Sequence, residues 1–148
     1  MVTSEAPPYL RRAVLGDASA LASLAGELGY PTDPAEMTRR LEALPPDDDV
    51  WVATVGDEVV GWGHCSVRLS LVVEPSIEIL GIVVGERWRG RGIGRMLMER
   101  AERSAIQRGL SAVRLRSGSH REEAHGFYRA LGYREIKQQR VFVRELET

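Results

Sequence analysis

Apolar residues at Leu21, Leu24, Ala25 and Leu28 recur at the spacing of one helix face, with Asp17 ahead of them as N-cap and Gly29 behind as stop. A short strand, Leu10 to Val14, precedes this helix. Asp33-Pro34 supplies the cap and first position of a second helix running to about Ala43, which Pro45-Pro46 ends before the polar loop Asp47-Asp48-Asp49. From Val50 the period changes. Val50 to Val55 and Val59 to about Val72 are rich in β-branched and aromatic residues and predict two strands joined by a Gly56-Asp57 hairpin turn. Glu74-Pro75 breaks the chain, and Ile77 to Val84 predicts a further strand. Gly81 weakens that strand unless a bulge or a close backbone approach needs it there.

Helical spacing returns at Ile93, Leu97, Ala101 and Ala105, with Met96 beside the stripe and the end near Gly109. Ala112 to Leu115 predicts a short strand and Ser117-Gly118-Ser119 a loop. Arg121 to about Leu131 predicts a helix closed by Gly132, and Tyr133 to Leu146 the last strand or strands. No repeat, low-complexity tract or linker interrupts the pattern. The expectation is a single α/β (α+β) domain over residues 1–148, with a mixed sheet and helices on both faces.

Composition narrows the function. The 148 residues, 43% hydrophobic and 28% charged, suit an ordinary globular domain. No apolar run approaches the ~20 residues of a membrane span, and Met1 to Pro8 lacks the apolar segment of a secretory signal. The one cysteine, Cys65, excludes an internal disulfide and a multi-cysteine zinc site, so no metal is expected and a reducing cytoplasm is the simplest location. A net charge of −1 argues against a dedicated nucleic-acid binder. The charge is unevenly spread: residues 1–74 carry a balance of −7 and residues 75–148 a balance of +6. An anionic ligand is favoured by the second half and a cationic one by the first.

The most distinctive segment is Glu86-Arg87-Trp88-Arg89-Gly90-Arg91-Gly92-Ile93-Gly94-Arg95, between a predicted strand and a predicted helix. A helix N-terminus exposes about four unpaired N–H groups and the positive end of the macrodipole. Glycines at 90, 92 and 94 allow a ligand to approach the backbone, and arginines surround them. The physical reading is a pyrophosphate cradle. A Walker loop fails, because Arg95-Met96 stands where Lys and Ser/Thr are required. A dinucleotide fingerprint fails too, since position 95 is not glycine and the loop lies past the middle of the chain.

The pattern R-x-x-G-x-G, Arg89 to Gly94, resembles the acyl-CoA loop of the GNAT superfamily of N-acetyltransferases. About thirty residues on, Ala124-His125-Gly126-Phe127-Tyr128-Arg129-Ala130-Leu131-Gly132-Tyr133 resembles that family's A-x-x-F-Y-x-x-L-G-[FY] helix. The resemblance implies a mostly antiparallel mixed sheet of six to seven strands with about four helices. It implies acetyl-CoA as cosubstrate, its pyrophosphate on Arg89, Gly90, Arg91, Gly92, Ile93, Gly94 and Arg95, and its pantetheine arm along Ile82, Val83 and Val84. A strand N–H there would polarise the thioester carbonyl. Glu78, eleven residues before Arg89, matches the general base of histone-modifying relatives; His64 is a second candidate, and a water chain a third route. Tyr128 matches the general acid that protonates the leaving thiolate. Many relatives carry asparagine seven positions before that tyrosine. Here Arg121 stands there, so contact to CoA is left to backbone, to Ser119 or to Arg121.

The acceptor side is expected from the first two helices and the central hairpin: Tyr30, Trp51, Trp62 and His64, with Asp47 to Asp49 nearby. An acid-rich first half suits a cationic amine attacking the thioester directly in a ternary complex. Neither nucleic acid nor membrane is expected as a partner, and a homodimer is an available assembly. The competing reading is a non-catalytic acyl-CoA-binding sensor or interaction module.

Overall fold

A computed structural model describes residues 6–147; the polar stretch before Ala6 lies outside the described residues. The chain forms two compact units, the first ending at Arg116 and the second beginning at Ser117.

The first unit runs β1 (Tyr9–Arg12), α1 (Ala18–Glu27), α2 (Pro34–Ala43), β2 (Asp49–Val55), β3 (Glu58–Arg68), β4 (Ser76–Val84), α3 (Ile93–Gln107) and β5 (Val113–Leu115). The strands form one sheet in the order β1-β2-β3-β4-β5, antiparallel through β4. β5 returns parallel to β4 after the α3 crossover, the connection that parallel pairing requires. The sheet is mixed, as expected, but has five strands rather than six to seven.

The missing strand is the Tyr133 to Leu146 segment of the second unit. That unit holds α4 (Glu122–Ala130), closed by Gly132 at φ 94°; residues 133–147 form no strand. Its alternation is β-like, but a strand exists through ladder partners and same-face packing rather than through pattern alone. Val141, Phe142 and Val143 are largely exposed. β3 also stops short of Val72. Its ladder ends at Arg68 opposite Ser76, just after the chain-breaking Pro75, and Leu69, Leu71 and Val72 are exposed.

α3 covers one sheet face. A Cβ on Gly61 would stand 3.4 Å from Leu97 Cδ1 and 3.5 Å from Ile93 Cγ2. The stripe read from sequence, Ile93, Leu97, Ala101 and Ala105, is buried throughout, joined by Met98. Trp51 lies on the same face, its ring over Gly63, where a Cβ would be 2.5 Å away. Val50, pointing the other way, shares a cleft of about 400 Å³ with Leu41 of α2 and with Leu44 just after it. The helices therefore flank both faces. Asp33 caps α2 as expected, accepting from the Glu36 N–H at 2.8 Å. Asp17 stands at the N-cap of α1 as expected, but its side chain does not cap that helix: it accepts from Val14 N–H and from Nη1 and Nη2 of Arg11, each at 2.8 Å. The hydrogen bond from Arg11 holds its carboxyl below the usual range.

Candidate active site

The loop after β4 is shaped by glycine. Gly92 is the N-cap of α3 at φ 83°, and Gly90 sits at φ 77°, both in the left-handed region. A Cβ at either would meet nothing within 4 Å. Backbone conformation requires glycine there, and the space beside the backbone stays clear. The first helical hydrogen bond at this end runs from Met96 N–H to Gly92 O at 3.1 Å. Helix geometry gives the amides of Ile93, Gly94 and Arg95 no acceptor within α3. Trp88 is buried beneath the loop. The Arg91 and Arg87 guanidinium carbons lie 4.8 and 5.5 Å from its ring centroid, at cation–π range. Arg89 Nε donates to Val84 O at 3.4 Å, and Arg95 Nε to Glu99 at 3.2 Å.

β4 leads into this loop with one edge open. Its ladder with β5 spans only Ile77, Glu78 and Ile79, whereas its ladder with β3 continues to Val84. From Leu80 onward, through Ile82, Val83 and Val84, one edge of β4 has no strand beside it among the described residues. The ladder also changes phase here. Cys65 faces Ile79 and His64 faces Gly81, so Leu80 is the extra residue of a bulge. Gly81 meets both conditions set for it in sequence: it follows the bulge, and a Cβ on it would stand 2.7 Å from the Trp62 ring.

Glu78 pairs with Ser66, which stands two residues from His64 on β3, so strand alternation puts Glu78 and His64, the two candidate bases, on the same sheet face. The bulge decides only which β4 residue lies opposite His64, Gly81 in place of Leu80. Glu78 is engaged at both oxygens, Oε1 3.4 Å from Arg116 Nε and Oε2 3.8 Å from Arg68 Nη1. His64 Nε2 lies 2.7 Å from Asp48 Oδ2, and Ser66 Oγ donates to Asp48 Oδ1 at 2.8 Å. Asp48, placed by the sequence near the acceptor side only as one of three loop acids, is the one that pairs with His64. Its side chain is only 4% exposed. The one available signal was the acidic run before a strand, which does not reveal a partner sixteen positions on.

Of the residues expected on the acceptor side, Trp51 is fully buried in the core, Tyr30 is exposed, and Trp62, two residues before His64 on β3, packs over Gly81 on the His64 face. Asp49 is buried against Arg100 at 3.3 Å, which leaves Asp47 as the exposed member of the acidic loop. Among the described residues no group of three or more His, Cys, Asp or Glu could hold a metal ion, and no helix is long and apolar enough to cross a membrane.

In the second unit, Tyr128 is half-buried and burial pushes its hydroxyl upward, with Arg121 opposing. Its ring meets Phe127 and Tyr133 edge-on at 5.4 and 6.5 Å. Phe127 is the more exposed of the adjacent pair. Arg121 takes the N-cap position of α4 without a side-chain cap, and Ser119 is exposed. His125 is half-buried with Nε2 2.9 Å from Gly118 O.

A sheet edge left open halfway along a strand, ending at a helix head rich in glycine and arginine, suits the acyl-coenzyme A-dependent N-acyltransferases. The chain belongs to the acetyltransferase (GNAT) family, whose sequence profile matches residues 18–133. It is 30% identical over 131 residues to an uncharacterized N-acetyltransferase of Chlorobaculum tepidum, covering 88% of this chain and 77% of that one. N-acetylaspartate synthetase of Rattus norvegicus is 32% identical over 92 residues, 62% of this chain but only 30% of the synthetase. An aminoglycoside N-acetyltransferase solved in complex with CoA superposes with a TM-score of 0.84 at 17% identity, covering 98% of this chain and 99% of that one; at that identity the likeness is one of fold.

Proposed function

We propose that this enzyme transfers the acetyl group of acetyl-CoA to an amine by direct attack in a ternary complex. The observation that carries the reading is the open β4 edge from Leu80, continuous with the left-handed glycines at the head of α3. In this reading the backbone of Ile82 to Val84 pairs with the pantetheine arm as a neighbouring strand would. The amides of Arg89 to Arg95 hold the diphosphate, and the arginines offset its charge. The cosubstrate supplies an activated acyl group; the chain supplies alignment, a place for the oxyanion and proton transfer. A backbone N–H near the bulge serves as the oxyanion donor, the kind of group whose loss costs about 3–4 kcal/mol.

Two protons must move. An alkyl amine of pKa near 10.4 is about 3.4 units from neutral at pH 7, so freeing its lone pair costs roughly 4.6 kcal/mol. A base on the Glu78–His64 face takes one proton. Tyr128 gives the other to the departing thiolate, a role supported by its position in the F-Y-x-x-L-G pattern and by a hydroxyl that burial keeps protonated. Ser119 and Arg121 are assigned to CoA on the resemblance alone. The acceptor class is a cationic amine, supported by the acidic balance of residues 1–74.

The test is release of free thiol from acetyl-CoA with a panel containing a polyamine, an aminoglycoside and aspartate. Turnover on at least one amine is expected; tight CoA binding with turnover on none would favour a non-catalytic binding module instead. Gly92→Glu is expected to abolish acetyl-CoA binding by calorimetry. At φ 83° any side chain strains the loop although the space beside it is clear, so Gly92→Ala, which carries the strain without the charge, is the control, and affinity lost in Gly92→Glu beyond that of Gly92→Ala would report on the diphosphate. Unchanged affinity would count against the cradle.

A further inference from the structure

Resting on the acetyltransferase reading, we infer that Asp48 is a positioning residue that holds His64 as the base for the acceptor amine. The ring of His64 has two nitrogens, and only one can carry the proton in the neutral form. Nε2 faces Asp48 Oδ2 at 2.7 Å, and a carboxylate accepts but does not donate. The proton therefore sits on Nε2, and Nδ1 keeps its lone pair. Asp48 is itself fixed. Ser66 Oγ donates to its other oxygen at 2.8 Å, and its own N–H donates to Pro45 O at 3.0 Å. Its side chain is almost fully buried, that of His64 19% exposed.

This chooses between the two bases. Both oxygens of Glu78 face guanidinium groups, whereas His64 has one nitrogen committed and one open. His64 also stands opposite Gly81, one residue past the bulge where the β4 edge opens. A cationic amine loses two protons on becoming an amide. The first passes through Nδ1 to solvent and frees the lone pair. The nitrogen then bonds to the thioester carbonyl carbon, and Nδ1 takes the second proton, the imidazolium being offset by Asp48. The carbon–sulfur bond breaks and the thiolate takes a proton from Tyr128. His64 releases its proton to solvent, and Tyr128 is reprotonated from solvent. The arrangement follows the logic by which a buried aspartate orients a catalytic histidine in hydrolases, with the roles of the ring nitrogens exchanged.

The experiment uses the full chain with whichever amine turns over. Asp48→Asn and His64→Gln are each expected to lower kcat about 10²- to 10⁴-fold, with the KM for acetyl-CoA within about twofold of wild type. The double variant is expected to be no slower than His64→Gln alone. Nitrogen NMR of the ring, simple with three histidines in the chain, is expected to show Nε2–H in wild type and a mixture of tautomers in Asp48→Asn. Should Asp48→Asn fail to fold, Ser66→Ala tests the same clamp and is expected to lower kcat severalfold. An enzyme that acetylates its amine at a rate unaffected by Asp48→Asn, or one in which the two losses multiply, overturns this inference alone. A chain that acetylates no amine overturns the acetyltransferase reading and this inference with it.

Discussion

Cys65 lies fully buried on β3, and burial, assisted by the Asp49 carboxylate and opposed by a hydrogen bond with Ser104, pushes its thiol up to about 11. The thiolate is the reactive form, so the native protein is expected to leave a chromogenic aryl disulfide unreacted at pH 8. One thiol per chain should appear in guanidinium. Labelling of the native protein at the unfolded rate would contradict this burial. The point is practical as well, since free thiol is the product followed when CoA is released. Tyr128 illustrates the same cause acting to another end. Its hydroxyl is pushed up by partial burial, with Arg121 opposing, which keeps its proton available to the leaving thiolate. Tyr128→Phe keeps the ring contacts with Phe127 and Tyr133, and is expected to cut kcat about 10²- to 10³-fold with little change in the KM for acetyl-CoA. A large drop in melting temperature with kcat retained would assign Tyr128 to packing instead.

Elements were legible in sequence where local chemistry decides them. The Asp33-Pro34 cap, the Gly56-Asp57 turn and the α3 stripe are each carried by a few adjacent residues, and each stands where the pattern put it. Strand ends and the last strand were not, because they depend on partners. Nothing in Tyr133 to Leu146 tells whether a neighbouring edge will accept it. The bulge at Leu80 lies between these cases: Gly81 signalled it, but its effect, setting Gly81 rather than Leu80 opposite His64, needed the ladder register. Which of the three loop acids pairs with His64 was beyond reach for the same reason. Glycine also works by contact in this sheet. On β3, Gly63 leaves room for the Trp51 ring that α3 seals in place, and a Cβ would overlap it at 2.5 Å. Gly63→Ala is expected to destabilise the fold by about 1–3 kcal/mol, read as a lower urea midpoint at unchanged slope. A variant as stable as wild type would mean that the ring has somewhere else to go.

Over the whole molecule, part of the acidic side of the −7 and +6 split lies inside the protein. Asp17, Asp48 and Asp49 are buried, Asp17 against Arg11 of the same half, Asp49 against Arg100, and Asp48 against His64 and Ser66. The arginines of the glycine loop are spent differently. Arg87, Arg89, Arg91 and Arg95 are all exposed, two of them held over the Trp88 ring rather than withdrawn into the core. The positive field around the head of α3 therefore reaches solvent, whereas part of the acidic balance does not. A polyanionic cosubstrate would be drawn to that field from beyond contact distance. The Debye length falls from about 10 Å at 0.1 M salt to about 3 Å at 1 M, so acetyl-CoA affinity is expected to weaken several-fold over that range, mostly through slower association. Arg89→Gln or Arg91→Gln should flatten the salt dependence, and stopped-flow association at four ionic strengths reads both effects. An affinity indifferent to salt would mean that the diphosphate is held by backbone amides alone, and that the arginines serve the loop's own shape around Trp88.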